Sequence, residues 1–332
     1  MPIANPIKPL LRRLSAIGYK ENYVRRIVLP DWWEDSIALK PAGYQQAIML
    51  ISRNLGLDSC SLQEEGAAIS CREFTHPKYK LKPADRPEQV KIATCLALRV
   101  AQLACQAMPE AVMELPSSAI ETRQTIITNG FAYIGFEALL NYCWRIGIPV
   151  LRVAEFPGGM HKPDALAVIV HGRPAIVLCR QTEFSAWLLF HLAHELGHII
   201  LGHLQGWSIL VDDEVKGDTD TEETEANQFA VELLTGFHSR SYNYGSVNSR
   251  QLAMVAQAVG RDNDVDPGFI ALSHGRMTGN WGTANGALKI IESNPNALVA
   301  VRRRMLQHLD RERLPDDISD FLMRITGADD AE

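Results

Sequence analysis

Hydrophobic spacing changes character twice along this chain. Residues 1–110 follow a helical period, interrupted by Pro6, Pro9, Pro30 and Pro41 and again by Pro83 and Pro87. Within this region 44–57 reads as a helix ending at Gly56, with a second helix capped by Asp58 or Ser59. That is the outline of a helix-turn-helix, although plain helical hairpins share it and the second helix offers few Arg, Asn or Gln to read bases. Residues 88–108 form a long apolar helix broken by Lys91 and Arg99, which predicts a core helix and not a membrane span. From 146 onward the pattern alternates. Segments 148–154, 164–170 and 174–179 are short, rich in Val, Ile and Leu, and predict strands. The last two are joined at His171-Gly172-Arg173, a hairpin signal, and Pro174, lacking an N–H, favours an edge position. A helix is then expected over 183–201, an acidic loop after it, and a second helix over 221–234. Further helices are predicted over 247–260, 283–293 and 295–310, with a disordered tail at 327–332.

These elements predict an α+β fold: a small antiparallel or mixed sheet packed on a helix, flanked by helical regions. The expected division is a helical N-terminal domain at 1–110, a domain carrying the sheet at 111–240, and a helical C-terminal region at 241–332. With 332 residues, the chain is long enough to bury a sizeable core. Its net charge of −6, from 33 Lys and Arg against 39 Asp and Glu, argues against a protein that coats nucleic acid. The basic run within 1–26 and the acidic run 212–225 read as solvated surface. Cysteines 60, 71, 95, 105, 143 and 179 form no C-x-x-C pair, which predicts reduced thiols and a cytoplasmic location. The N-terminus has no apolar region followed by a small-residue cleavage site, so no secretory signal is expected.

The chemistry lies in the helix over 183–201. His194-Glu195-Leu196-Gly197-His198 is an H-E-x-x-H motif. Four residues apart, the two histidines share one helix face and can reach a single metal ion. Glu195 lies beside that face, placed to accept a proton from water at the ion. The surrounding Trp187, Leu188, Leu189, Phe190, Leu192, Ile199 and Ile200 are apolar, where two imidazoles and a carboxylate are costly to bury without a partner. Zinc needs a third protein ligand. The helix over 221–234 offers Glu222, Glu223, Glu225 and Glu232, and periodicity leaves Glu222 and Glu225 open. His203 is a rival, but at the helical angle it points about 140° away from His198, and Gly202 marks the helix end. A carboxylate behind one ligand histidine is also expected. His161 and His171 are candidate oxyanion helpers.

The run AWLLFHLAHELGHIILGH, the acidic loop and ETEANQFAVELL resemble the ImmA/IrrE family of bacterial metallopeptidases, over roughly 130–280. The resemblance implies a zincin-like metallopeptidase domain. It implies one Zn2+ per chain, or another divalent ion, held by His194, His198 and Glu225, with Glu195 as general base. It further implies a regulatory endopeptidase that cleaves a DNA-binding repressor or antitoxin, in transcriptional control or a stress response. The first 110 residues carry no usable match; they are expected to dock the protein substrate, with direct DNA binding and membrane association not expected. The competing reading is a helix-turn-helix regulator or antitoxin whose zinc fold is a sensing or structural module.

Overall fold

In the computed structural model, which describes residues 5–72, 77–80, 87–128, 130–158, 162–204, 209–212 and 221–328, helices surround one mixed sheet. Before the sheet core come α1 (Ile7–Ala16), α2 (Glu21–Tyr23, running into a π turn), α3 (Pro41–Leu55), α4 (Ser59–Gln63), β1 (Pro77–Lys80), α5 (Pro87–Ala107), α6 (Ala119–Ile127) and α7 (Phe136–Arg145). Then follow β2 (Val150–Arg152), β3 (Ala165–Val170), β4 (Arg173–Leu178), α8 (Ser185–Ile200), β5 (Ile209–Asp212) and α9 (Thr221–Thr235). The C-terminal part is α10 (Ser249–Asn263), α11 (Pro267–Thr278), α12 (Trp281–Ile291), α13 (Ala297–His308) and α14 (Asp316–Thr326).

The strand order is β1-β5-β3-β4-β2. β3 and β4 form the expected hairpin, antiparallel from Val170↔Arg173 to Ala165↔Leu178. Its turn residues His171 and Gly172 both take positive φ, 48° and 83°, the geometry that matches the twist of the flanking strands. The edge placement expected for 164–179 does not hold. β5 pairs with β3 and β2 pairs with β4, so both strands are internal. Pro174 is tolerated there because β2 begins its pairing at Ile176 and asks for no N–H from position 174. In β3 and β4, successive residues are buried with no polar face, because α5 and α8 both pack against these strands. α5 includes an 18-residue window, Val90–Ala107, apolar enough to cross a bilayer, and 72% of that window is buried inside the protein.

One apolar core runs from Ile7 through α5, the sheet, α8 and α9 to Ala328. A second cluster joins Ala186 at the start of α8 to Leu252, Ala253, Ala271, Leu272, Ala287 and Leu288 of α10–α12. The helix-turn-helix outline resolves into a corner. α3 ends at Gly56 with φ 70°, and Asp58 caps α4 by accepting from Ser61 N. α4 has five residues, less than two turns, and Ser61 and Leu62 are buried. The expectation of reduced cysteines is corrected for two of them: Cys71 and Cys95 form a disulfide with Cα atoms 6.2 Å apart. Twenty-four residues of sequence separate them, and Cys71 reaches α5 by pairing with Leu57 in an isolated bridge, a placement that local spacing does not encode. Residues 329–332 of the tail, and 213–220 of the acidic loop, lie outside the described residues.

Candidate metal centre

α8 brings the H-E-x-x-H residues into the interior. His194, Glu195 and His198 are 5%, 2% and 0% exposed, because α8 is covered by the sheet on one side and by α9 on another. The two helices come close at Gly197. A Cβ there would meet Phe229 of α9 at 3.0–3.2 Å, so the absent side chain is what lets α9 approach the histidines.

Nε2 of His194 and Nε2 of His198 are 3.0 Å apart. Glu223 completes the group: its Oε2 lies 3.3 Å from His194 Nε2, and its Oε1 lies 3.4 Å from His198 Nε2. Donors bound at 2.0–2.1 Å around one tetrahedral zinc stand about 3.3–3.4 Å apart, so two imidazoles and a carboxylate at these separations fit such an ion. Burial pushes the His198 imidazole down to about 4, with Glu223 opposing that shift. His198 is therefore neutral near pH 7, the form whose lone pair can ligate.

Glu225, expected as the third ligand, is not brought to the pair. Its side chain is half exposed and its Oε2 lies 3.0 Å from Nε2 of His203. The reason is angular. With Ala226 at zero on a helical wheel, the buried stripe Phe229, Ala230, Leu233 and Leu234 spans roughly −60° to +80°. Glu223 falls at about +60° and Glu222 at about −40°, inside the stripe, whereas Glu225 falls at about −100°. Aligning Glu225 with Phe229 and Leu233 at i+4 and i+8 ignores the drift of about 40° per four residues. The wheel thus contains the signal for Glu223, and the packing of α9 on α8 separates it from Glu222.

His203 also departs from expectation. The projected angle holds only while the helix continues, and the helix ends at Leu201. Gly202 turns the chain with φ 76°. His203 N then donates to His198 O at 3.0 Å, and Gly202 N donates to Ile199 O at 3.2 Å. These are the two bonds of a Schellman motif, which folds the second residue past the cap back against the last turn. His203 Nδ1 accordingly lies 2.9 Å from His198 Nδ1, buried. His171 sits exposed at the turn between β3 and β4, and His161 lies outside the described residues.

Around the three donors, Phe190 packs against the His194 ring. Both carboxylate oxygens of Asp164 accept from Arg180 Nη1 at 3.0 Å, and Oδ2 stands 3.6 Å from His191 Nε2. Burial pushes His191 down to about 4 against the pull of Asp164, so it too is neutral. Between α8, α9 and α11 opens a cleft of about 370 Å³, whose lining includes Phe190, His191, Asn227, Arg276 and Trp281. Thr224, the neighbour of Glu223, and Phe190, which packs on the His194 ring, border it, while His194, Glu195, His198 and Glu223 are not in its lining.

Residues 187–238 match the sequence model of Peptidase M78, described as an IrrE N-terminal-like domain. Neither curated proteins nor solved structures give a match. The matched stretch starts at Trp187 in α8 and ends just beyond α9, so it holds His194, Glu195, His198 and Glu223 together. Over that stretch the chain is similar to the IrrE N-terminal-like domain of the M78 peptidases, in agreement with the resemblance carried by HELGH and EANQFA.

Proposed function

We propose that this protein is a metal-dependent endopeptidase, with His194, His198 and Glu223 as the ligands of one zinc ion. The reading is carried by one observation: two imidazole nitrogens 3.0 Å apart on one helix meet a carboxylate from a second, one of its oxygens 3.3 Å from His194 and the other 3.4 Å from His198, next to a buried glutamate. A divalent cation held there supplies Lewis acidity toward water and the scissile carbonyl. Glu195, following His194 directly in the helix, takes the proton of the attacking water and passes it to the leaving amine. His198 enters neutral and keeps its lone pair for the ion. The apolar wall of α8 keeps bulk water from these groups, which strengthens every charge interaction among them. The neighbouring cleft receives substrate side chains through Phe190 and Trp281.

The substrate in this proposal is a specific DNA-binding repressor or antitoxin in the cytoplasm, whose cleavage changes transcription. The support is the family of the matched stretch. The test uses purified full-length protein, zinc, and the repressor encoded beside its gene. Wild type should cut at one or a few bonds, and Glu195→Gln should retain zinc yet lose at least about 100-fold in rate. Cleavage that persists in Glu195→Gln, or that needs no added metal after exhaustive chelation, contradicts the proposal.

A further inference from the structure

The Glu225 carboxylate and the His203 imidazole have no place in the chemistry above, yet they stand in line behind a ligand. We infer that His203 and Glu225 form a relay that fixes the tautomer and ring orientation of His198, and so act as positioning residues for the metal. The inference rests on the proposal that His198 ligates through Nε2.

The proton assignments follow from the geometry. His198 Nε2 faces His194 and Glu223, and its Nδ1 faces His203 Nδ1 at 2.9 Å. If Nε2 carries the lone pair used for the ion, the single proton of neutral His198 sits on Nδ1 and donates to His203. His203 Nδ1 must then accept, which places the proton of a neutral His203 on Nε2. That nitrogen lies 3.0 Å from Glu225 Oε2, an acceptor. Every donor in the line meets an acceptor under one assignment only: His198 Nδ1–H to His203 Nδ1, and His203 Nε2–H to Glu225. Reversing either ring sets two donors or two acceptors face to face. A carboxylate at the end of such a line would raise the basicity of the ligand nitrogen and fix the orientation of the ring.

The elements are built to hold this line. The Schellman turn at Gly202 ties His203 N to His198 O, so the two residues are clamped by backbone as well as by side chain. His198 is fully buried and His203 nearly so, at 9% exposure, and a hydrogen bond so shielded counts for more than one in water. Glu225 sits two residues after Glu223 on α9. One helix thereby delivers the ligand carboxylate from one side and the relay carboxylate from another. The half-exposed position of Glu225 becomes intelligible on this account: it needs to reach His203 at the surface end of the line, not the ion.

The test is a thermodynamic cycle on zinc affinity in the full-length protein, measured by competition with a chromophoric chelator. His203→Ala and Glu225→Ala should each weaken zinc binding about tenfold or more, the scale seen for partners of ligand histidines. The double variant should bind no more weakly than His203→Ala alone, because Glu225 acts only through the ring. A charge effect exerted through space would instead persist without His203. Tautomers of ¹⁵N-labelled histidines in the zinc-loaded protein should show His198 protonated on Nδ1 and His203 on Nε2, with the His203 preference lost in Glu225→Ala. Additive losses, unchanged affinity in either single variant, or His203 protonated on Nδ1 overturn the relay. A wild type that binds no zinc overturns the underlying metal proposal, so the two failures are distinguishable.

Discussion

Gly197 is the residue through which helix packing controls the metal centre, and Gly197→Ala is the substitution that isolates this control. In an exposed helix the change would gain about 1 kcal/mol of propensity. Here the new methyl would lie 3.0 Å from Phe229 Cδ1 and 3.2 Å from its Cβ and Cγ, whereas carbon atoms settle at about 3.5–4.0 Å. Relief requires α9 to withdraw by roughly half an ångström, and such overpacking costs about 1–3 kcal/mol. The two terms nearly offset, so the melting temperature of the metal-free protein should move little. Metal binding is less forgiving, because ligand distances tolerate only about ±0.2 Å. Glu223 rides on the same helix six residues before Phe229 and moves with it. Zinc affinity should therefore fall at least about tenfold, or about 1.4 kcal/mol, while stability stays nearly constant. Thermal melting without metal and chelator competition with it make the comparison. Zinc affinity within twofold of wild type would refute the claim that this contact sets the position of the third donor.

Glu223→Ala should weaken zinc binding at least about 100-fold, since each protein ligand accounts for about 3 kcal/mol of a typical site; Glu225→Ala should cost distinctly less, and the reverse order in a chelator titration would exchange their roles. Arg123 donates to the carbonyls of Leu233 and Leu234 at the end of α9 and to Asp264 O, so Arg123→Ala should destabilise the protein by about 1–3 kcal/mol in urea unfolding. Asp266 caps α11 at Phe269 N, and burial with Glu292 nearby pushes its carboxyl up to about 6. The folded state thus holds this proton more tightly than the unfolded state does. The contribution to stability is full below about pH 4 and is lost as pH rises to about 6, up to about 3 kcal/mol. Asp266→Asn, which keeps the cap, should flatten that part of the stability profile; an unchanged slope over pH 4–6 contradicts the assignment.

What the sequence made legible follows from how locally each feature is encoded. α8 and α9 fall at Ser185–Ile200 and Thr221–Thr235, close to the expected 183–201 and 221–234, because apolar period and the H-E-x-x-H spacing are properties of single helices. The β3–β4 hairpin was equally readable from Val- and Ile-rich runs around His171-Gly172. β1 and β5 were not, since four residues at 77–80 acquire strand character only by pairing with 209–212. The same distinction governs the site. His194, Glu195 and His198 declare themselves within five residues, but choosing among the four glutamates of the second helix needs the crossing of two helices. His203 is the helix-end residue that Gly202 announces, but its projected direction fails, because extrapolating a helix past its end cannot show a chain reversed by one positive φ at Gly202. α11 and α14 also escaped the periodicity reading. α11 is buried across much of its surface, from Gly268 through Leu272 to His274 and Gly275, which blurs its stripe. No comparable account applies to α14, whose apolar face is well defined.

The most direct test is crystallographic: anomalous scattering at the zinc edge from the metal-loaded protein. One zinc per chain is expected, bound by Nε2 of His194, Nε2 of His198 and a carboxylate oxygen of Glu223, with Glu225 on His203. A zinc held by Glu225, or none between the two histidines at full loading, would contradict it.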